Sequence, residues 1–260
     1  MANEYIKVST EGSVRKLLLN RPEKFNSFIR EMSLQMQAAL DEAATDPMIR
    51  AIFISGEGKG FCAGQDLSEA MAAESPNIKN IVTEHYNPII SKLRSIEKPI
   101  VCGVNGVAAG AGANIALACD VVVASASAFF VQAFSKIGLI PDCGGTFFLP
   151  RLIGFAKASA LMMLGDKVSA LEAEKMGMIY KVLEDNVFHQ EAFAIAKTLS
   201  EMPTVGLGLT KKLLNHSLFN TLGMQLNAEG TEQSIAASSA DYKEGVKAFM
   251  EKRKPVFLGN

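Results

Sequence analysis

Within GLIPDCGGTFFLPRLIG, Gly138–Gly154, Asp142 is the only carboxylate among apolar residues and glycines. A carboxylate in that setting has two uses. It can cap a helix by accepting from backbone N–H groups of the CGGTFF turn. It can also move a proton, with its proton affinity raised by apolar neighbours and lowered by the helix N-terminus that follows. Two glycine-rich stretches offer complementary chemistry: GFCAGQDL, Gly60–Leu67, and VAAGAGANIAL, Val107–Leu117. Glycine lets backbone approach a ligand where a Cβ would clash. One N–H group from each loop can then converge on a single oxygen and stabilise a developing oxyanion. Taken singly, each loop is equally well a tight turn between a strand and a helix.

The elements that must hold these groups follow from the flanking patterns. IFIS, Ile52–Ser55, is a short β-rich run before the first glycine loop, and IVCGV, Ile100–Val104, is another before the second. Each passes from strand to glycine loop to helix start, with a helical pattern around Ile81–Ile96 between them. This repeated β-loop-α step predicts an α/β fold with stacked turns. YIKVST and VRKLLLN predict a hairpin; DVVVAS and Ala128–Val131 predict further strands. From about Gly154 the texture is helical. SALEAEKMG carries Ser169 and Glu172 at capping-box spacing and Gly177 as its C-cap. PTVGLGLTKKLLNHSLFN opens on Pro203, and DYKEGVKAFMEKRKP ends at Pro255. The division read from this is a core over residues 1–200 and a helical region over 201–260 that packs on the core or mediates assembly.

With 260 residues, 48% hydrophobic, the chain can bury a large core. Its formal net charge of −1 and its lack of a basic, aromatic-interleaved stripe give no nucleic-acid footprint. Ile100–Ala118 is rich in Ala, Gly and Val, but Asn105, Asn114 and its glycines suit a packed interior better than a membrane. The start MANEYIKVSTEG has no signal-peptide pattern, so a cytoplasmic location is expected. Cys62, Cys102, Cys119 and Cys143 lack metal spacing and read as buried thiols; His85, His189 and His216 are scattered. GAGANI lacks the third glycine and the distal acid of a dinucleotide fingerprint. No metal or redox cofactor is expected.

FCAGQDL, VNGVAAGAGANIALACDVVVAS, FSKIGLIPDCGGTFFLPRLIG and ALMMLGDKVSALEAEKMGMIYKV, in this order and spacing, resemble the crotonase (enoyl-CoA hydratase/isomerase) superfamily. The resemblance runs from LNRPEKFNSF at Leu19 to the C-terminal helix. FSKIGLIPDCGGT, HYNPII and SADYKEGVKAFMEKRKPVFLGN are most similar to bacterial isomerases of aromatic ring-epoxide CoA thioesters. The resemblance implies a spiral of repeated ββα turns with C-terminal helices that build a homotrimer or a dimer of trimers. It implies an acyl-CoA substrate, with CoA part of that substrate rather than a cofactor. The thioester carbonyl would lie between the main-chain N–H groups of Gln65 and Ala111, with Asp142 as acid/base. Lys24 would contact phosphate and Ala63 adenine, with Asp66, Gly110, Tyr86, Asn114 and Phe134 as further substrate contacts. Lys24 is also readable as a solvated loop lysine, and Tyr86 as core. Lys252 or Lys254 would reach a neighbouring subunit's CoA.

The hydratases of this superfamily use two glutamates to handle water, and their positions fall here at Asn114 and Phe134. Neither is an acid, which points away from hydration and toward a dry site. The implied activity is therefore an isomerase that shifts a double bond or opens a ring epoxide through an enolate. Alternatives are a Δ3,Δ2-enoyl-CoA isomerase of fatty-acid oxidation and a catalytically idle scaffold. The absence of tryptophan points away from the superfamily's dehalogenases.

Overall fold

In the computed structural model, which describes residues 3–71 and 77–260, two sheets are built by a chain that visits them alternately. Met1 and Ala2, the first residues of the stretch read for a signal, lie outside the described residues. A hairpin of β1 (Ile6–Glu11) and β2 (Val14–Leu19) opens the chain, and α1 (Arg30–Thr45) follows. Each subsequent turn then contributes one strand to each sheet. These pairs are β3 (Ala51–Gly56) with β4 (Gly60–Cys62), β5 (Ile100–Val104) with β6 (Val107–Ala109), and β7 (Val121–Ser125) with β8 (Phe129–Val131). Between the first two pairs lie α2 (Leu67–Ala70), α3 (Ile78–Asn80), a π-helical turn over Ile81–Tyr86, and α4 (Asn87–Ser95). Between the second and third lies α5 (Ala111–Leu117).

A 3-10 turn over Ala133–Ile137 leads to α6 (Gly145–Ile153) and α7 (Phe155–Leu164). There follow β9 (Lys167–Ser169), α8 (Ala170–Lys175), β10 (Lys181–Leu183) and α9 (Phe188–Ser200). Three helices complete the chain: α10 (Thr204–Ser217), α11 (Leu222–Ser238) and α12 (Ala240–Glu251). The six-stranded sheet runs β1-β2-β3-β5-β7-β10 and is parallel after its first pair; the four-stranded sheet runs β4-β6-β8-β9 and ends on an antiparallel pair.

The central strands are apolar on both faces because both faces are covered. β3 and β5 are buried along their whole length. On one face, Phe188, Ala192 and Ala196 of α9 pack on Val14, Phe53, Val101 and Val123. On the other, the larger core joins Met32, Met36 and Leu40 of α1, spaced at helical period, to Ile52, Ile54, Phe61 and the apolar residues Ala113, Ile115, Ala116 and Leu117 of α5. Burying an aromatic such as Phe28 or Phe61 completely contributes about 1.5–3 kcal/mol.

The expected hairpin, strands and alternation of strand, loop and helix are all present. The α8 capping box forms between Ser169 and Glu172. Met176, not Gly177, is the C-cap residue, and Gly177 follows it at φ 79° in the left-handed region. The helix expected across Ile81–Ile96 is split, its first part a π-helical turn. Ile100–Ala118 is a strand, a second strand and a short helix; among the described residues no helix is long and apolar enough to cross a membrane.

Candidate active site

The two glycine loops meet beneath one cavity. Phe28 forms a parallel bridge with Gln65: its N–H donates to the Gly64 carbonyl at 2.7 Å, and its carbonyl accepts from Asp66 at 2.9 Å. Residues 64 and 66 are thereby turned toward Phe28, and the N–H group of Gln65 faces the opposite side. Ala111 is the first residue of α5, so its N–H has no acceptor within the helix. Gly64 makes the close approach possible. Its φ is +91°, and a Cβ there would lie 3.0 Å from the Ala109 carbonyl oxygen and 3.5 Å from the Ala111 nitrogen. Neither the Gln65 nor the Ala111 amide has a hydrogen-bond acceptor among the described residues.

Gln65 and Ala111 both line a cavity of about 570 Å³. Its walls are apolar: Leu67, Ala70, Ile78, Ile81 and Val82 on one side, and Phe134, Ile137, Leu139 and Ile140 on the other. Ala63, Gly110 and Tyr86 also line it, and Asp142 is the only carboxylate that does so among the described residues. Phe134 provides the aromatic wall, whereas Phe130 is buried in β8 away from the cavity. Lys79 and Lys136 lie at the cavity's border; nothing in their sequence context marked them.

Asp142 is not a helix cap. The N-cap of α6 is Gly144, at φ 71°, and no side chain caps that helix. The Oδ1 atom of Asp142 is buried and has no hydrogen-bond partner among the described residues. Burial pushes its carboxyl above the ordinary carboxylate range, offset in part by the Cys143 thiol and the residue's own amide. The apolar surroundings thus outweigh these two hydrogen-bond donors. Tyr86 is almost fully buried, and burial holds its phenol far above its usual value. Its hydroxyl donates to Gln65 Oε1 at 2.7 Å, while Gln65 Nε2 donates to Glu69 at 2.9 Å. Cys143 sits beside Asp142, buried with its thiol pushed well up, and the Cys62 thiol is pushed up to about 12 by burial. All four cysteines are free and buried.

Three expected contacts lie elsewhere. Asp66 does not border the cavity. Its Oδ2 pairs with Arg21 at 3.0 Å and its Oδ1 accepts from the Ser68 amide at 3.0 Å, so it caps α2 and anchors the loop. Burial works to raise its pKa, but the Arg21 and Ser68 hydrogen bonds with the Arg21 charge outweigh that and lower it. Asn114 is fully buried behind the cavity wall, where Nδ2 donates to the Asp142 carbonyl at 2.9 Å. Lys24 is exposed on a 3-10 turn outside the cavity. That turn abuts the Ala63 end, since Ala63 N–H donates to the Phe25 carbonyl at 2.9 Å. Among the described residues no group of three or more His, Cys, Asp or Glu side chains could hold a metal ion.

The sequence profile described as "Enoyl-CoA hydratase/isomerase" matches residues 9–260. The chain belongs to the enoyl-CoA hydratase/isomerase family. It is 47% identical over 259 residues, 98% of this chain and 99% of the relative, to 1,2-epoxyphenylacetyl-CoA isomerase of Escherichia coli (strain K12). It is 40% identical over 259 residues, the whole of both chains, to a "Probable enoyl-CoA hydratase" of Rhodobacter capsulatus. The crystal structure of an enoyl-CoA hydratase from Polaromonas sp. JS666 matches with a TM-score of 0.90 at 35% identity, covering 97% of this chain and 99% of that one. The fold is the crotonase spiral expected from the motifs, and the chain is a crotonase-family enzyme of acyl-CoA chemistry.

Proposed function

We propose that this enzyme isomerises an acyl-CoA thioester, moving a proton between carbons or opening a ring epoxide, by way of an enolate. The observation that carries the reading is the arrangement of one half-buried, proton-hungry carboxylate, Asp142, in an apolar cavity also bordered by the free amides of Gln65 and Ala111. The thioester carbonyl would accept from both amides, which are worth most where negative charge develops on its oxygen. Asp142 would take the proton and return it to another carbon. No second carboxylate borders the cavity among the described residues to activate water, so an enolate there would be protected from hydration. CoA enters with the substrate.

The identity to the E. coli enzyme supports an aromatic ring-epoxide substrate of the phenylacetate route, and Phe134 offers a wall for a ring. Double-bond migration in an aliphatic 3-enoyl-CoA uses the same proton shuttle. A homotrimer, or a dimer of trimers, built by the 201–260 helices is part of this reading. It is supported by the exposed Leu222, Met224, Leu226 and Ile235 of α11. The contact of Lys252 or Lys254 with a neighbouring subunit's CoA belongs to the same proposal, as does a cytoplasmic location.

The test is incubation with a 3-enoyl-CoA, followed by the absorbance of the conjugated enoyl thioester, alongside 1,2-epoxyphenylacetyl-CoA with product analysis. Wild type should turn over at least one and Asp142→Asn neither. Full activity of Asp142→Asn would sink the mechanism. CoA-thioester binding without turnover of either compound would favour the idle scaffold.

A further inference from the structure

With Oδ1 of Asp142 lacking a partner among the described residues, the firm polar anchors of this residue are on its carbonyl. That oxygen accepts from the Gly145 amide at 2.8 Å and from Asn114 Nδ2 at 2.9 Å. Asn114 Oδ1 in turn accepts from Gln132 Nε2 at 2.8 Å. Asn114 is 0% exposed and Gln132 3%, and neither borders the cavity. The polarity of this chain is forced. A carbonyl can only accept, so Asn114 must turn its NH2 group to Asp142. Its oxygen then faces Gln132, which must turn its own NH2 group to Asn114. The cost falls at the far end, where Gln132 Oε1 is buried with no partner among the described residues. An unsatisfied buried acceptor is expensive, so its retention here needs a reason. Gly145 supplies the room: a Cβ at that position would lie 2.3 Å from Asn114 Nδ2.

The geometry points to a positioning relay in which Gln132 and Asn114 hold the main chain of Asp142 so that its carboxylate faces the acyl carbons. This rests on the reading of Asp142 as the acid/base. Position 114, where the hydratases carry an acid, then acts on the substrate only through the backbone of residue 142. Neither relay residue touches the reacting atoms.

Two variants test it. Asn114→Asp is nearly isosteric but sets an oxygen against the Asp142 carbonyl. Gln132→Met keeps the side chain's length and removes its amide. Each is compared with wild type and Asp142→Asn for thermal unfolding, binding of a saturated acyl-CoA, and the pH dependence of kcat and KM on 3-enoyl-CoA. The expected result is a kcat loss on the order of 100-fold for Asn114→Asp and on the order of 10-fold for Gln132→Met, as for other small displacements of a reacting group. Acyl-CoA affinity and KM should stay within about threefold of wild type, and the acid limb of kcat should move. A merely structural role would lower the unfolding temperature and leave that split and that limb unchanged. The relay is overturned if either variant folds, binds acyl-CoA and keeps kcat within about threefold of wild type while Asp142→Asn is inactive. Should Asn114→Asp not fold, Gln132→Met decides by the same criteria. Wild-type turnover by Asp142→Asn instead removes the acid/base reading, and the relay with it.

Discussion

The hydroxyl of Tyr86 donates to Gln65 Oε1 over 2.7 Å, tying the wall of the cavity to the residue whose backbone amide has no acceptor among the described residues. Gln65 Nε2 continues the chain to Glu69, and the other Glu69 oxygen accepts from the Arg30 amide at 2.9 Å. The Gln65 side chain is therefore a brace for its own backbone. Tyr86→Phe removes the donor and leaves the ring packed on Phe28, whose centroid is 5.9 Å away. A net hydrogen bond is worth about 1 kcal/mol, so kcat should fall about fivefold with KM unchanged. Steady-state kinetics with a 3-enoyl-CoA checks this, and equal losses in kcat for Tyr86→Phe and Tyr86→Ala would show that the hydroxyl carries the whole effect.

The Ala111 amide can be deleted without touching a side chain. Proline is favoured at the first position of a helix, where its missing N–H has no helical partner, and Gly110, at φ 53° and ψ −123°, is outside the α region that proline disfavours in its predecessor. Ala111→Pro should fold, bind acyl-CoA and lose roughly 10²- to 10³-fold in kcat, as expected for one oxyanion donor. Its pH profile should keep the wild-type acid limb, since Asp142 is unaltered.

Asp142 makes opposite demands on stability and activity. Its carboxyl is raised by burial, so its ionisation costs folding free energy. Below the unfolded pKa both states are protonated and the cost is absent. As pH rises from there through the folded pKa, the cost grows to its full value and stays. On the proposed mechanism the ionised form takes the proton, so kcat should fall on acidification with a limb above the ordinary carboxylate range. Asp142→Asn should be inactive yet melt higher than wild type at neutral pH, by roughly 2–4 °C per kcal/mol recovered. That difference should vanish in acid. Calorimetry against pH measures it directly.

The spiral was legible because its signals are local. IFIS and IVCGV are apolar runs that lead into glycine-containing loops, and both are strands buried throughout. The capping box at Ser169 and Glu172 needs only four consecutive residues. The meeting of the two glycine loops at one cavity, with Gln65 and Ala111 lining it, was legible from their backbone pattern alone. Legibility failed where direction mattered. Asp66 follows Gln65, but adjacent residues of an extended segment face opposite ways, and the bridge to Phe28 sends residue 66 away from the cavity. Asn114 lies on a helix whose seven residues are all buried, so no polar stripe gives its phase. The partners of Asn114, Gln132 and Asp142, are 18 and 28 residues distant, and only the stacking of turns brings them together.

Asp120 is the joint between this core and the C-terminal helices. Oδ1 accepts from Arg94 at 3.0 Å, while Oδ2 accepts from Lys211 at 2.8 Å and from the Ile100 amide at 2.9 Å, so one carboxylate ties α4, β5 and α10. Lys211 is only 6% exposed, and burial lowers its pKa against the pull of Asp120. Asp120→Ala would strand that ammonium, at a cost of about 3–5 kcal/mol. Because burial favours the neutral amine, the deficit should shrink as pH rises into the alkaline range and Lys211 sheds its proton. Adding Lys211→Met should recover much of the loss at neutral pH, since an apolar pair in such a site is often as stable as the ion pair it replaces. Urea unfolding of wild type, the single variant and the double variant at neutral and alkaline pH measures each step. A double variant no more stable than Asp120→Ala alone would assign the loss to the Arg94 and Ile100 contacts instead.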